Sequence, residues 1–256
     1  MRRLGGDDDG VQLIITADIG VRDHAAVDTA TRGGVDVIIC DHHLPAGADV
    51  PEQALAVLCP PQAACDYPNP ALAACGVSLK LAQALLADHP RQDAILQSML
   101  KVAAIGTVAD VVDLSTAENR AIVHLGVEQL RQGPHSPGLQ ALLDVSDVGD
   151  HLSSEDLGFR LGPRINAAGR LAQADAVLTL FGCRDTAQAQ AQAKALDQLN
   201  RDRQDIQRKL VAESLARLAD PPPDFAVLWG SEAEGWHRGV VGIVAAKVRD
   251  HIHRPA

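Results

Sequence analysis

The side chains with most chemistry to offer concentrate at a few points of this sequence. Asp41, His42 and His43 stand together in VDVIICDHHLP (35–45), at the end of a mostly apolar, β-branched run, and Asp18 closes a second such run, VQLIITAD (11–18). Asp110 lies in GTVADVV (106–112), an acid between apolar neighbours. Burial there is costly unless the carboxylate is paired, hydrogen-bonded or bound to a metal. Carboxylates mixed with imidazoles suit Mn²⁺, Fe²⁺ or Zn²⁺ better than Ca²⁺. Two such ions about 3.5–4 Å apart would activate a water and clamp a phosphoryl group. Taken singly, each signal also has a plainer reading: Asp41 capping a turn beside two surface histidines, and Asp110 capping a helix end.

A second set is basic. FRLGPRINAAGR (159–170) holds three arginines and no acid, with glycines that permit close backbone approach. Arg164 and Arg170 there offer guanidinium forks for phosphate, although the composition fits a solvated loop equally well. WHRGVVGIVAAK (236–247) places His237, Arg238 and Gly239 at a helix start, where backbone N–H groups and the dipole favour an anion. Tight helix packing at Gly239 and Gly242, with His237 as a cap, explains the same letters.

Positioning these groups requires particular elements. The runs 11–18 and 35–41 read as buried strands, and HAAVDTATR between them as a helix capped by Asp23 and stopped by Gly33-Gly34. Strand, helix, strand at this spacing is a βαβ unit with parallel strands and a right-handed crossover. Parallel strands end on one edge, so Asp18 and Asp41-His42-His43 converge where open α/β sheets bind ligands. A third strand is expected at 54–60, then helices over about 70–87, 91–104, 118–133 and 137–147. From Asp185 to Asp220 a helical pattern runs until Pro221-Pro222-Pro223, with Leu196, Leu199, Ile206 and Leu210 as its apolar stripe. That length suits a strut between two domains. DFAVLWG (224–230) reads as a strand and 239–250 as a helix.

The composition sets outer bounds. A chain of 256 residues accommodates two domains, and with aromatics at only 2% the cores must be built from Ala, Val, Leu and Ile. No apolar run approaches the roughly 20 residues that span a bilayer, and the N-terminus lacks a signal-peptide core; a soluble, cytoplasmic protein without a membrane partner is expected. Five cysteines (40, 59, 65, 75, 183), odd in number and without a C-x-x-C pair, read as small core residues. The net charge of −10 is uneven: residues 1–150 carry 9 basic and 20 acidic side chains, residues 151–256 carry 14 and 13. Acids gathered in the first half repel phosphate unless divalent cations sit among them.

TAD (16–18), CDHHLP (40–45), GTVADVV (106–112), LGPRINAAGRL (161–171), LDQLNRDRQ (196–204) and WHRGVVGIVA (236–245) occur in an order that resembles RecJ-type exonucleases of the DHH phosphoesterase superfamily. The resemblance covers nearly the whole chain. It implies an α/β protein: a parallel-sheet DHH domain (1–183, N-terminally truncated) joined by a long helix (184–220) to an incomplete DHHA1-type α/β domain (221–256). It further implies a Mn²⁺- or Mg²⁺-dependent 5′→3′ exonuclease acting on single-stranded DNA in recombination and repair. Asp18 would bridge two metals, His42 and Asp110 would bind one of them, and Asp41 and His43 would support the site or contact the scissile phosphate. Arg164, Asn166 and Arg170 would line the strand's path, with His237, Arg238 and Gly239 facing the catalytic centre. A single-strand-binding protein and a helicase are the implied protein partners.

There are departures. The first motif of the superfamily, an Asp-x-Asp after an earlier strand, has no clear counterpart; Asp7-Asp8-Asp9 reads as a solvated loop. Ile19 stands where a polar residue is usual, and no OB-type domain follows, so the chain is expected to be the interior of a longer gene product. Two other functions stay open: a DHH phosphodiesterase for short oligonucleotides or cyclic dinucleotides, and a catalytically inactive single-strand-binding or scaffold fragment.

Overall fold

The structure, a computed structural model, describes residues 10–47, 49–63, 65–149, 151–171 and 174–256. It is a helix-rich α/β protein with one small parallel sheet, and the chain divides into two compact units, 1–134 with 149–158, and 135–148 with 159–256.

The first unit opens with β1 (Leu13–Ala17), α1 (His24–Arg32), β2 (Asp36–Cys40) and β3 (Ala56–Leu58), paired in the order β1-β2-β3 with every strand parallel. Alternation of side chains across the central strand divides its residues between two cores. Val37 and Ile39 pack with Val27 and Ala30 of α1, whereas Cys40 faces Leu72, Val77, Ala103 and Ile122. Those partners belong to the segment before and within α2 (Ala74–Leu85), α3 (Gln92–Ala109) and α4 (Ala117–Gln132). Small residues make this packing close, as expected from a sequence poor in aromatics. All five cysteines are free, with Cys40, Cys59 and Cys183 buried. Asp23 stands at the N-cap of α1, but its side chain makes no capping hydrogen bond.

The second unit contains α5 (Pro137–Val145). The chain returns to the first unit for a single helical turn, α6 (Ser154–Asp156), and after a π-helical turn at Leu157–Leu161 the second unit continues with α7 (Gly162–Leu171), α8 (Asp175–Gly182), α9 (Thr186–Ala216) and α10 (Arg238–Ile252). The long helix starts where expected: the Asp185 carboxylate accepts a 2.7 Å hydrogen bond from the Gln188 N–H. α9 lies within this unit as its spine, with α5, α7, α8 and α10 packed along it. Leu210 of α9 meets Trp236 and Val240, Val244 and Val248 of α10 in one core.

One expected element is corrected. Residues 224–230 form no strand. Phe225, Val227 and Trp229 are exposed while Ala226 is buried, which is the alternation of a strand. A strand also needs a ladder, and the described residues supply only one such bond here, from the Ala226 N–H to the Pro255 carbonyl. No helix among the described residues is long and apolar enough to cross a membrane.

The central strand sets the stability of the first unit. Ile39 is fully buried and Ile15, on the edge strand, is 51% exposed. Chemical denaturation should find Ile39→Ala destabilised by about 2–5 kcal/mol and Ile15→Ala by less than about 1 kcal/mol; equal losses would refute this account of the core.

Candidate metal centre

Strand register brings the acids together. Ala17 pairs with Cys40 and Cys40 with Leu58, so the next residues along, Asp18, Asp41 and Cys59, follow in line at the carboxyl edge of the sheet. The ladder continues one step past the strands, through hydrogen bonds from Asp18 N–H to the Cys40 carbonyl (2.9 Å) and from Asp41 N–H to the Leu58 carbonyl (3.0 Å). Immediately afterwards the backbone turns. Asp18 adopts φ 65°, a left-handed conformation that aspartate tolerates better than most residues. Gly20 follows at φ +123°, where a side chain would be strained and its Cβ would lie 2.9 Å from Thr16 Oγ1.

Asp41 is the anchor of the site. Its side chain is only 1% exposed, and it accepts hydrogen bonds from Val21 N–H (3.0 Å), His42 N–H (2.7 Å) and His43 N–H (3.2 Å). The His43 ring adds a fourth through Nδ1 at 2.7 Å, and since an ionised carboxylate only accepts, Nδ1 carries the proton. Burial pushes the Asp41 carboxyl up, but the bonds from Val21, His43 and His42 outweigh it and hold its pKa below the ordinary value. The same bond to Asp41 raises the pKa of His43 against the opposing effect of desolvation.

His42 points the other way, into a cluster of acceptors. Its Nε2 lies 3.2 Å from Asp18 Oδ1 and 3.4 Å from Asp110 Oδ2. α3 runs to Ala109, beyond the expected end at 104, so Asp110 is the residue that closes it. A carboxylate at that pole of a helix faces unfavourable partial charge. Burial raises the Asp110 pKa, and the charge of Asp18 adds to the effect while His42 and His43 oppose it. Two carboxylates beside one imidazole nitrogen call for a positive charge among them.

That requirement is the test of fit for a divalent metal. Ligand atoms of Asp18, His42 and His43 lie within 4.8 Å of one another, the only such group of three or more among the described residues. Asp18 and Asp110 each place a carboxylate oxygen within 3.4 Å of His42 Nε2, a donor set of the type that suits a divalent cation. His43 also reaches Asp18, at 4.0 Å, but the Nδ1 doing so is committed to Asp41. Asp7-Asp8-Asp9 lies outside the described residues.

The basic candidates belong to the second unit. Arg164 has partners inside that unit for every guanidinium nitrogen: Nε and one terminal nitrogen reach Asp197 at 2.9 Å, and the other donates to the Arg160 carbonyl at 2.8 Å. Arg201 shares Asp197, so the pair acts as a brace between α7 and α9. Asn166 is exposed. Arg170 donates to the Gly239 carbonyl at 3.0 Å, and a Cβ on Gly239 would fall 2.3 Å from the Arg170 carbonyl oxygen. Only glycine permits that approach, so packing accounts for Gly239. His237 caps α10, its Nδ1 accepting from Gly239 N–H at 3.1 Å, and Arg238 is exposed beside it.

Three features had not been singled out. Arg22 donates through Nε to the Leu44 carbonyl at 2.7 Å. Cys59 directs its thiol at the His43 carbonyl from 3.3 Å, and burial pushes its pKa up to about 11, so the thiol stays protonated as a donor. Phe159 stands 79% exposed at the head of the arginine-rich stretch. Alternation and position after a strand were available signals for Cys59; the sequence carried none for the other two.

Residues 2–107 match the DHH family, N-terminal domain. Over 96% of its length the chain is 39% identical to the single-stranded-DNA-specific exonuclease RecJ of Dickeya dadantii (44% of that protein covered). It is 41% identical to the RecJ of Bacillus subtilis over 96% of its length (30% covered). The crystal structure of Thermus thermophilus RecJ with Mn²⁺ superposes with a TM-score of 0.81 at 33% identity, covering 95% of this chain and 35% of that one. A Mg²⁺ complex of the same protein gives 0.70 at 28%, with 95% and 34% covered. The chain thus spans less than half the length of these relatives.

The Asp41–His43 pair predicts a pH dependence of stability. Because the folded pKa of His43 is raised, its contribution is complete below the unfolded value of about 6.5 and is lost as pH climbs through the folded value. The Asp41 contribution is present above about 3.9 and lost as pH falls through its lowered value. In chelator, the melting temperature of the wild type should therefore be higher at pH 6 than at pH 8, by a margin that shrinks in His43→Gln. An identical pH dependence in the two proteins would refute the pairing. The raised Asp110 acts in the same direction in both proteins.

Proposed function

We propose, from the premise that this chain is RecJ-like and opens with a DHH-family N-terminal domain, that it carries the metal-dependent phosphodiester-hydrolysing site of an exonuclease for single-stranded DNA. The observation that carries the reading is the convergence of Asp18, His42 and Asp110, with the two carboxylates 3.2 and 3.4 Å from one imidazole nitrogen. These three residues would hold Mn²⁺ or Mg²⁺, the ions bound in the similar solved structures. Bound there, the metal supplies an activated water and neutralises charge on the phosphoryl oxygens.

The chain's own residues complete the chemistry. Asp41, held ionised by its donors, fixes the ring and tautomer of His43 and favours its protonated form. His43 then offers its free Nε2 to a phosphate oxygen or to the leaving oxygen. Cys59 fixes the backbone behind it through the His43 carbonyl. In the second unit Asn166, Arg170 and Arg238 contact phosphates of the strand, while Arg164, His237 and Gly239 position them. The domain division proposed is a DHH domain at 1–183, a linking helix at 184–220 and a DHHA1-type domain at 221–256. Digestion from the 5′ end, roles in recombination and repair, a cytoplasmic location, and partnership with a single-strand-binding protein and a helicase belong to the same proposal.

The test is release of nucleotides from 5′-labelled single-stranded DNA in Mn²⁺. Wild type should turn over; His42→Ala should lose roughly 100-fold or more, and Asp41→Asn about 10–100-fold as an outer-shell partner. Product from dinucleotides but not from long strands would replace this reading with that of a short-oligonucleotide phosphodiesterase. Salt-sensitive strand binding with no metal-dependent turnover would replace it with a binding module.

A further inference from the structure

The loop from Asp18 to Asp23 contributes more to the site than the carboxylate of Asp18. It leaves β1 through the left-handed Asp18 and Gly20, closes with a hydrogen bond from Asp23 N–H to the Gly20 carbonyl, and is tied down by Val21 N–H on the Asp41 carboxylate. Arg22 follows directly. Its Nε is held by the Leu44 carbonyl at 2.7 Å, one residue past His43. The rest of the guanidinium has no carboxylate partner among the described residues.

The setting makes that cation unusual. Residues 1–150 carry 20 acidic and 9 basic side chains, and the site gathers three of the acids, Asp18, Asp41 and Asp110. A polyanionic strand approaching this edge meets repulsion from everything that a bound metal leaves uncompensated. Anchored through Nε, Arg22 loses less freedom than an unanchored side chain when its two terminal nitrogens engage a ligand, and their spacing suits two oxygens of one phosphate.

We infer that Arg22 is a substrate-positioning residue, which presents its guanidinium fork to a phosphate of the strand adjacent to the one that is cut. It lies beside the ligand cluster and not within it, because Leu44 holds it next to His43 while the ligands point to the space between Asp18, His42 and Asp110. The inference rests on the reading of the site as a phosphodiesterase. Its main competitor is a purely structural role, in which Arg22 only braces the loop against Leu44.

Two measurements separate these. In the first, Mn²⁺-dependent hydrolysis of a single-stranded oligonucleotide is compared for wild type, Arg22→Ala and Arg22→Lys. A phosphate contact predicts a KM raised roughly ten-fold in Arg22→Ala, with kcat changed less than about two-fold and Lys only partly restoring KM. In the second, fluorescence anisotropy measures binding, in Ca²⁺, of oligonucleotides carrying one neutral methylphosphonate at successive linkages. Wild type should lose affinity at a particular linkage near the 5′ end, and that loss should be absent in Arg22→Ala. A lower melting temperature and kcat in the variant, with KM and the linkage pattern unchanged, would establish the brace and overturn the inference. No hydrolysis by wild type would sink the exonuclease reading, yet the linkage pattern would still decide whether Arg22 contacts a phosphate. A pattern identical in wild type and Arg22→Ala overturns the inference whatever the activity.

Discussion

A carboxylate removed from water must be supplied with donors, or it takes up a proton and changes its chemistry. Asp41 is almost wholly buried, and four N–H groups converge on it. Each donor ties down a different part of the site. The bond from Val21 holds the loop that leaves β1, the bonds from the His42 and His43 backbone curl the chain just after β2, and the bond from the His43 ring sets that imidazole's tautomer. With His43 turned towards Asp41, the adjacent side chain, His42, is left directed at Asp18 and Asp110. The adjacent histidines therefore have different environments, a distinction produced by one buried charge.

The parallel ladder determines where that charge sits. Because β1, β2 and β3 end in register, the residues just beyond them share one edge, and a slip by one position in β2 would turn Asp41 to the opposite face. Burial of Val37 and Ile39 against α1 opposes such a slip. Packing of the first unit and geometry of its site are in this sense one problem.

The sheet and its carboxyl edge were legible in the sequence because they rest on local signals: apolar runs, a crossover of the right length and polar residues at the strand ends. The expected strands at 11–18 and 35–41 appear as Leu13–Ala17 and Asp36–Cys40, and Asp185 caps the long helix. What could not be read depends on partners distant in sequence. DFAVLWG has the alternation of a strand but, among the described residues, a single ladder-like bond, from Ala226 to Pro255. Arg164 looked open to phosphate, and only the fold shows Asp197 occupying it from 33 residues away. Asp110 looked like a helix cap or a ligand, and it is the residue that ends α3 while facing His42. Arg22 carried no signal, since its importance comes from a loop that folds back on Leu44.

The central claim is that Asp18, His42 and Asp110 form a divalent-metal site. Mn²⁺ titration followed by electron paramagnetic resonance tests it without any assumption about substrate. The account predicts bound Mn²⁺ in the wild type, weakened at least about ten-fold in Asp18→Asn and His42→Ala while both variants keep the wild-type melting temperature in chelator to within a few degrees. Folded variants that bind Mn²⁺ as the wild type does, or a folded wild type that binds none at millimolar ion, would contradict it.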